Sequence, residues 1–237
     1  MKAIYLDNNA TTRLDPMVLE AMMPFMTEHY GNPSSIHGFG EPVRKGIERA
    51  REQVAALLGA AHDSEIIFTS CATEANSTAI LSAVEALPER KEIITTVVEH
   101  PAILEVCEHL ERRGYTIHRL PVDNQGRLDL AHYQSLLSEN VALVSVMWAN
   151  NETGTVFPVQ TMATMAKEKG VLFHTDGVQA VGKFPIHLAS SDIDMLSFSG
   201  HKIHAPKGVG ALYVKRGSRF RPLLRGGHQE RGRRAGT

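Results

Sequence analysis

The run Phe198-Ser199-Gly200-His201-Lys202 follows an apolar segment that reads as a strand, and it precedes a polar loop, His204-Ala205-Pro206-Lys207-Gly208. A primary amine at the carboxyl end of a sheet strand suits Schiff-base chemistry, although an isolated Ser-x-His-Lys reads equally well as a surface lysine on a loop. Twenty-six residues upstream, Phe173-His174-Thr175-Asp176-Gly177-Val178-Gln179 sets a carboxylate at the end of another buried strand. Alone, Asp176 reads as a helix N-cap. Together the two supply what a pyridoxal phosphate site requires. The amine bonds the aldehyde, and the carboxylate keeps the pyridinium nitrogen protonated so that the ring withdraws electrons.

Three further stretches fall at strand ends. Thr69-Ser70-Cys71-Ala72-Thr73-Glu74 runs from a strand directly into a helix. Backbone N–H groups at such a helix start bind phosphate, and Ala72 and Thr73 occupy the first turn; the same Thr-x-Glu spacing is also ordinary capping. Cys71 sits where a thiol pKa is lowered, but a thiolate beside a phosphate is repelled, so it reads as a packing residue. Glu99-His100-Pro101-Ala102 offers an imidazole able to stack on a ring and carry protons near neutral pH, against the plain reading of a histidine before a proline. Ala149-Asn150-Asn151-Glu152-Thr153-Gly154 is turn chemistry whose amides could also bond a phenolic oxygen or a carboxylate.

Alternating elements must position these groups. Helices are expected at Pro16–Thr27, with Asp15 as N-cap, and at Glu41–Leu58, with Val43, Ile47, Ala50, Val54, Leu57 and Leu58 on its buried stripe and Gly59 as its stop. The remaining helices are expected at 73–87, 103–113, 129–137 and 162–169. Strands are expected at 65–69, 92–97, 115–120, 141–148, 171–175, 194–199 and 210–214. Strands separated by helices imply right-handed crossovers, hence an α/β domain with a mostly parallel sheet covered on both faces, and ligands in such sheets bind beyond the carboxyl ends of the strands. Residues 216–237 carry seven arginines and several glycines without periodicity, and no helix or strand is expected there.

Composition sets the outer bounds. The chain has 237 residues, 25 Lys+Arg against 26 Asp+Glu, a formal net charge of -1, and 43% apolar and 22% charged residues. This is globular composition, and the near-neutral charge argues against a phosphate-backbone (nucleic-acid) binder. Cys71 and Cys107 provide neither a disulfide framework nor metal-ligand spacing. The N-terminus lacks the apolar run of a signal peptide, and no stretch has the roughly 18 apolar residues of a membrane span. The expectation is a soluble, cytoplasmic protein.

These elements, in this order, resemble the class V branch of pyridoxal-phosphate enzymes with the aspartate-aminotransferase fold (fold type I). Within that branch the chain resembles the cysteine desulfurases, most closely the NifS type associated with nitrogen fixation. The carriers span essentially the whole chain: Tyr5 to Thr12, Gly31-Asn32-Pro33-Ser34-Ser35-Ile36-His37, Thr69 to Glu74, Val98-Glu99-His100-Pro101, Asn150 to Gly154, His174 to Gln179, Ser199 to Lys202, and Gly226-Gly227-His228-Gln229-Glu230-Arg231.

The resemblance implies that Lys202 holds the cofactor covalently and then moves the substrate α-proton. It implies that Asp176 pairs with the pyridinium nitrogen, and that His100 stacks on the ring and takes part in proton transfer. Gln179 and Asn151 would contact the phenolic-oxygen side, and Ala72, Thr73, Ser199 and His201 would hold the phosphate. Thr237 would reach the phosphate of a neighbouring subunit, making the enzyme a homodimer. Residues 1–15 would belong with a small domain, and 16–237 with the cofactor-binding large domain. The implied reaction converts L-cysteine to L-alanine and leaves the sulfur as a persulfide on an enzyme cysteine. That sulfur would pass to an iron–sulfur scaffold protein, for nitrogenase cluster assembly.

The family's nucleophilic cysteine and substrate-clamping arginine lie downstream of the Lys202 region, and nothing up to Thr237 matches either. The expectation is therefore an incomplete desulfurase that supplies most of a cofactor site without completing sulfur transfer. Three alternatives stay open: another class V enzyme such as a selenocysteine lyase or aminotransferase, a non-catalytic module that binds cofactor or partner, and an α/β domain with an unrelated small-molecule site.

Overall fold

A computed structural model describes residues 3–237. Its core is a seven-stranded sheet. The strands are β1 (Ile66–Thr69), β2 (Glu92–Thr96), β3 (Thr116–Leu120), β4 (Val141–Ser145), β5 (Leu172–Asp176), β6 (Met195–Ser199) and β7 (Gly210–Val214). The helices are α1 (Pro16–Thr27), α2 (Glu41–Leu58), α3 (Ala72–Ala86), α4 (Pro101–Glu111), α5 (Leu130–Leu136) and α6 (Val159–Glu168).

The strand order is β1-β7-β6-β5-β4-β2-β3. Strands β3, β2, β4, β5 and β6 pair in parallel, while β7 runs antiparallel to both β6 and β1. The exception has a simple cause. No α-helix separates β6 from β7, so the chain turns back within a short loop, whereas a parallel pair needs a crossover. Two apolar clusters cover the two faces. One joins Leu58 of α2, Tyr133 of α5 and Met162 of α6 to Ile94, Val144 and Phe173. The other joins Ala79 and Ile80 of α3 and Ile103 and Leu110 of α4 to Ile67, Ile93 and Leu143.

Local signals hold at the helix ends. Asp15 Oδ1 accepts from Met17 N at 2.8 Å, and Pro16 occupies the first turn. Gly59 ends α2 at φ 57°, and a Cβ there would lie 2.7 Å from the Ile186 carbonyl, so position and conformation both demand glycine.

Two expectations shift. The buried face of α2 is Arg51, Ala55 and Leu58, while Leu57 is exposed. The helix turns this way because Arg51 is drawn inward by an ion pair with Glu230. Strand β4 ends at Ser145, short of Trp148. Val146 and Trp148 still donate to the carbonyls of His174 and Asp176, but Met147 N turns to the Glu99 carboxylate at 2.9 and 3.1 Å, which interrupts pairing on that side.

The arginine-rich tail contains only a short 3-10 turn, Gln229–Gly232. It is nevertheless fixed. Arg231 pairs with Asp63, Arg234 with Glu74 and Arg225 with Glu85, and Arg233 donates to the Ser64 carbonyl. No helix among the described residues is long and apolar enough to cross a membrane.

Candidate active site

The carboxyl ends of β5 and β6 open into a cavity of about 520 Å³. Nine of the residues singled out from sequence line it: Ala72, Thr73, His100, Asn151, Asp176, Gln179, Ser199, His201 and Lys202. They come from five separate connections, brought together because the parallel strands end at one edge of the sheet. Thr237 does not line the cavity of its own chain. It is exposed, and its hydroxyl accepts from Gln229 Nε2 at 3.4 Å.

Lys202 ends a 3-10 turn, Gly200–Lys202, directly after β6. Its Nζ donates to the carbonyl of Ala10 at 2.8 Å and to that of Asn9. Burial and then the charge of Lys183 make this ammonium easier to deprotonate than usual, with Asp176 and Asp7 opposing. A free amine is what nucleophilic attack on an aldehyde requires.

Asp176 closes β5 and is buried. Oδ1 accepts from Val178 N at 3.0 Å, and Oδ2 accepts from Asn76 Nδ2 at 2.7 Å. Burial pushes its carboxyl above the ordinary range, against the Val178 and Asn76 hydrogen bonds and the charges of His100 and Lys202. His100 is the N-cap of α4, with Nδ1 accepting from Ala102 N at 3.1 Å, which places the ring proton on Nε2.

The start of α3 borders the same cavity. An α-helix leaves its first N–H groups without internal partners, and the N-cap here, Cys71, is extended and offers no side-chain acceptor. The N–H groups of Ala72 and Thr73 therefore face the cavity end unsatisfied, with Ser199 and His201 beside them. Glu74 sets the turn by accepting from Ser70 N at 2.8 Å while it binds Arg234. Gly210 lies beneath, where a Cβ would come within 2.8 Å of the Cys71 backbone, so any side chain would push the helix start out of place.

The two asparagines divide their work. Asn150 builds the turn: its Oδ1 accepts from Glu152 N and Thr153 N, and its Nδ2 reaches the Val98 carbonyl. Asn151 lines the cavity, with Nδ2 on Glu152 Oε1 at 2.7 Å. Gln179 Nε2 donates to the Asn9 carbonyl at 2.9 Å, and its Oε1 accepts from Lys183 Nζ at 2.5 Å.

Asn9, Ala10, Asn76 and Lys183 were not singled out from the sequence. Asn9 and Ala10 lie within the Tyr5 to Thr12 stretch, and they reach the site because Thr12 N and Thr12 Oγ1 both bond the His201 carbonyl at 2.8 Å. Lys183, four residues past Gln179, had the helical-turn spacing that could have found it.

A cofactor carrying a phosphate, an aldehyde and a pyridine nitrogen fits these residues. The uncapped start of α3 answers the phosphate, Lys202 the aldehyde, and Asp176 the ring nitrogen. The buried Asn76 Oδ1 in the cavity wall has no protein partner.

The model for the aminotransferase class-V family matches residues 4–234. A cysteine desulfurase of Enterobacter agglomerans is 72% identical over 237 residues, and the cysteine desulfurase NifS of Azotobacter vinelandii is 66% identical. The chain spans 59% of the length of each. Among solved structures, a NifS-like protein superposes with a TM-score of 0.96 at 46% identity, over all of this chain and 65% of the other. SspA in complex with cysteine superposes at 0.95 and 39%, over 99% of this chain and 68% of that one.

Proposed function

The chain belongs to the class-V aminotransferase family, and we propose that the protein containing it is a pyridoxal-phosphate-dependent cysteine desulfurase. The observation that carries this reading is the convergence of Lys202, Asp176 and the uncapped start of α3 on one cavity. The high identity to curated cysteine desulfurases supports this reaction within the family.

When bound, pyridoxal phosphate supplies an electron sink that lets the Cα–H bond of an amino acid break heterolytically. The protein's residues do the rest. Ala72 and Thr73 N–H, Ser199 and His201 would hold the phosphate. Asp176 would pair with the ring nitrogen, and His100 would stack on the ring. Gln179 and Asn151 would contact the phenolic-oxygen side. Lys202, which burial and the charge of Lys183 make easier to deprotonate, would hold the cofactor and then take and return the substrate proton.

The sulfur of L-cysteine then goes to a cysteine thiolate, leaving L-alanine. Neither cysteine of this chain serves in our reading. Cys107 is fully buried on α4, and burial pushes its thiol up to about 12. Cys71 caps α3 at the proposed phosphate site. The nucleophile is assigned to the part of the relatives' length that this chain does not span. On the same reading Thr237 completes the phosphate site of a second subunit, residues 1–15 associate with a small domain, and the persulfide sulfur passes to an iron–sulfur scaffold.

The test is product analysis with L-cysteine. The protein carrying the full length of its relatives is expected to release L-alanine and load sulfur on a thiol, and Lys202→Ala is expected to do neither. Release of a keto acid with the amino group left on the cofactor would contradict the reading in favour of transamination.

A further inference from the structure

Asn76 stands in the second turn of α3, is 1% exposed and borders the cavity. Its Nδ2 lies 2.7 Å from Asp176 Oδ2, across 100 residues of sequence. Its Oδ1 is buried and bonds nothing in the protein. An unsatisfied buried carbonyl carries a desolvation cost, and an alanine on this small-residue face of α3 would avoid it. The side chain is therefore not explained by packing of the fold.

The orientation carries information. A carboxamide can present either end, and only Nδ2 can donate to a carboxylate. With Oδ1 turned inward, two acceptors would oppose each other unless the acid were protonated. The groups facing Asp176 are few. Glu99 and His100 approach from the connection between β2 and α4, Lys202 from the turn after β6, and the Val178 N–H from β5's own continuation. Glu99 is a second buried carboxyl, and Lys202 is committed elsewhere by its bonds to Asn9 and Ala10. Among the described residues, Asn76 is the one side chain hydrogen-bonded to the Asp176 carboxylate.

We propose that Asn76 is a positioning residue that aims the Asp176 carboxylate and holds it in its ionised form for a bound pyridinium nitrogen. The inference rests on the assignment of Asp176 to that nitrogen. Its first consequence, however, is a property of the two side chains alone. Removing the Asn76 donor withdraws a hydrogen bond that favours the charged form, so the acid weakens.

The experiment titrates Asp176 in the cofactor-free chain by carboxyl 13C NMR, in the wild type, Asn76→Leu and Asn76→Ala. Both substitutions are expected to raise the Asp176 midpoint by about one pH unit, a tenfold change in the acid constant. The alanine variant, which lacks any donor and matches the neighbouring Ala75 and Ala79 in size, carries the test if leucine does not fold. With pyridoxal phosphate added, the 15N resonance of the ring nitrogen is expected to move toward its unprotonated position in both variants. An Asp176 midpoint unchanged in both variants would overturn the proposal. A shifted midpoint with no ring-nitrogen response in the cofactor-loaded protein would instead overturn the assignment of Asp176 while leaving the Asn76 coupling in place.

Discussion

Arg51 and Glu230 lie 179 residues apart and meet through two hydrogen bonds, Nη1 to Oε2 at 2.6 Å and Nη2 to Oε1 at 2.8 Å. The pair is largely buried, with side-chain exposures of 9% and 12%. The same guanidinium donates to the Ile66 carbonyl, and the same carboxylate accepts from Phe68 N. Helix α2, strand β1 and the C-terminal tail are thus joined at one ion pair. Glu230 and Arg231 both hold positive φ, 47° and 58°, a conformation costly for residues with side chains, and the pair is what keeps them there.

Glu230→Ala should therefore destabilise the chain by about 3–5 kcal/mol, because it leaves Arg51 buried and unpaired. Denaturant unfolding checks this. The double substitution Arg51→Met, Glu230→Leu should recover most of the loss, since removing both charges removes the desolvation cost.

Glu99 makes a pH prediction. Its carboxyl accepts from Thr96 Oγ1 and Met147 N, yet burial, aided by the charge of Asp176, pushes it up to about 8. The folded value lies above the unfolded one, so its contribution is complete below about pH 4.5 and is lost as pH rises through 8. Wild-type stability should fall by about 5 kcal/mol across that window from this group. Glu99→Gln, read by thermal unfolding at each pH, should flatten the slope.

His174 makes the opposite one. It bridges Ser145 Oγ and Ser197 Oγ at 2.9 Å on either ring nitrogen, is fully buried, and is pushed down to about 3 by that burial. Its folded value lies below the unfolded one near 6.5, so its contribution is present above about pH 6.5 and is lost as pH falls toward 3. Acid unfolding of the wild type should accordingly take up a proton at His174, visible as a shift of the unfolding midpoint that His174→Gln abolishes.

Lys183 fixes the Gln179 amide, with Oε1 on Lys183 and Nε2 turned to Asn9, and its charge also eases deprotonation of Lys202. Lys183→Met should slow pyridoxal phosphate uptake near neutral pH by about three- to tenfold, with the difference closing at higher pH as Lys202 deprotonates unaided. Lys183→Arg should restore the charge effect. Uptake rates across pH measure both.

Much of this was legible in the chain itself. Asp15, Pro16 and Gly59 mark helix ends through local chemistry, and the elements fall within a few residues of their expected places. Asp176, His100 and Lys202 stand out because each follows an apolar strand, and the strand ends converge. What was not legible has a common cause. Asn76, Glu99, Asn9 and Glu230 act through partners tens to nearly two hundred residues away, and nothing local distinguishes a side chain that will meet such a partner. The buried face of α2 was misread only at its edge, since Leu58 is buried and Val54 packs on the core as expected. Periodicity places Leu57 on its stripe, whereas the ion pair from the tail rotates Arg51 inward.

The central claim is that Lys202 is the amine that holds the cofactor. Borohydride reduction of the chain equilibrated with pyridoxal phosphate, followed by peptide mass spectrometry, tests it most directly. The predicted result is a single pyridoxyl-bearing peptide modified at Lys202 and absent from Lys202→Ala. A label on Lys183 or Lys207, or equal labelling of wild type and Lys202→Ala, would contradict it.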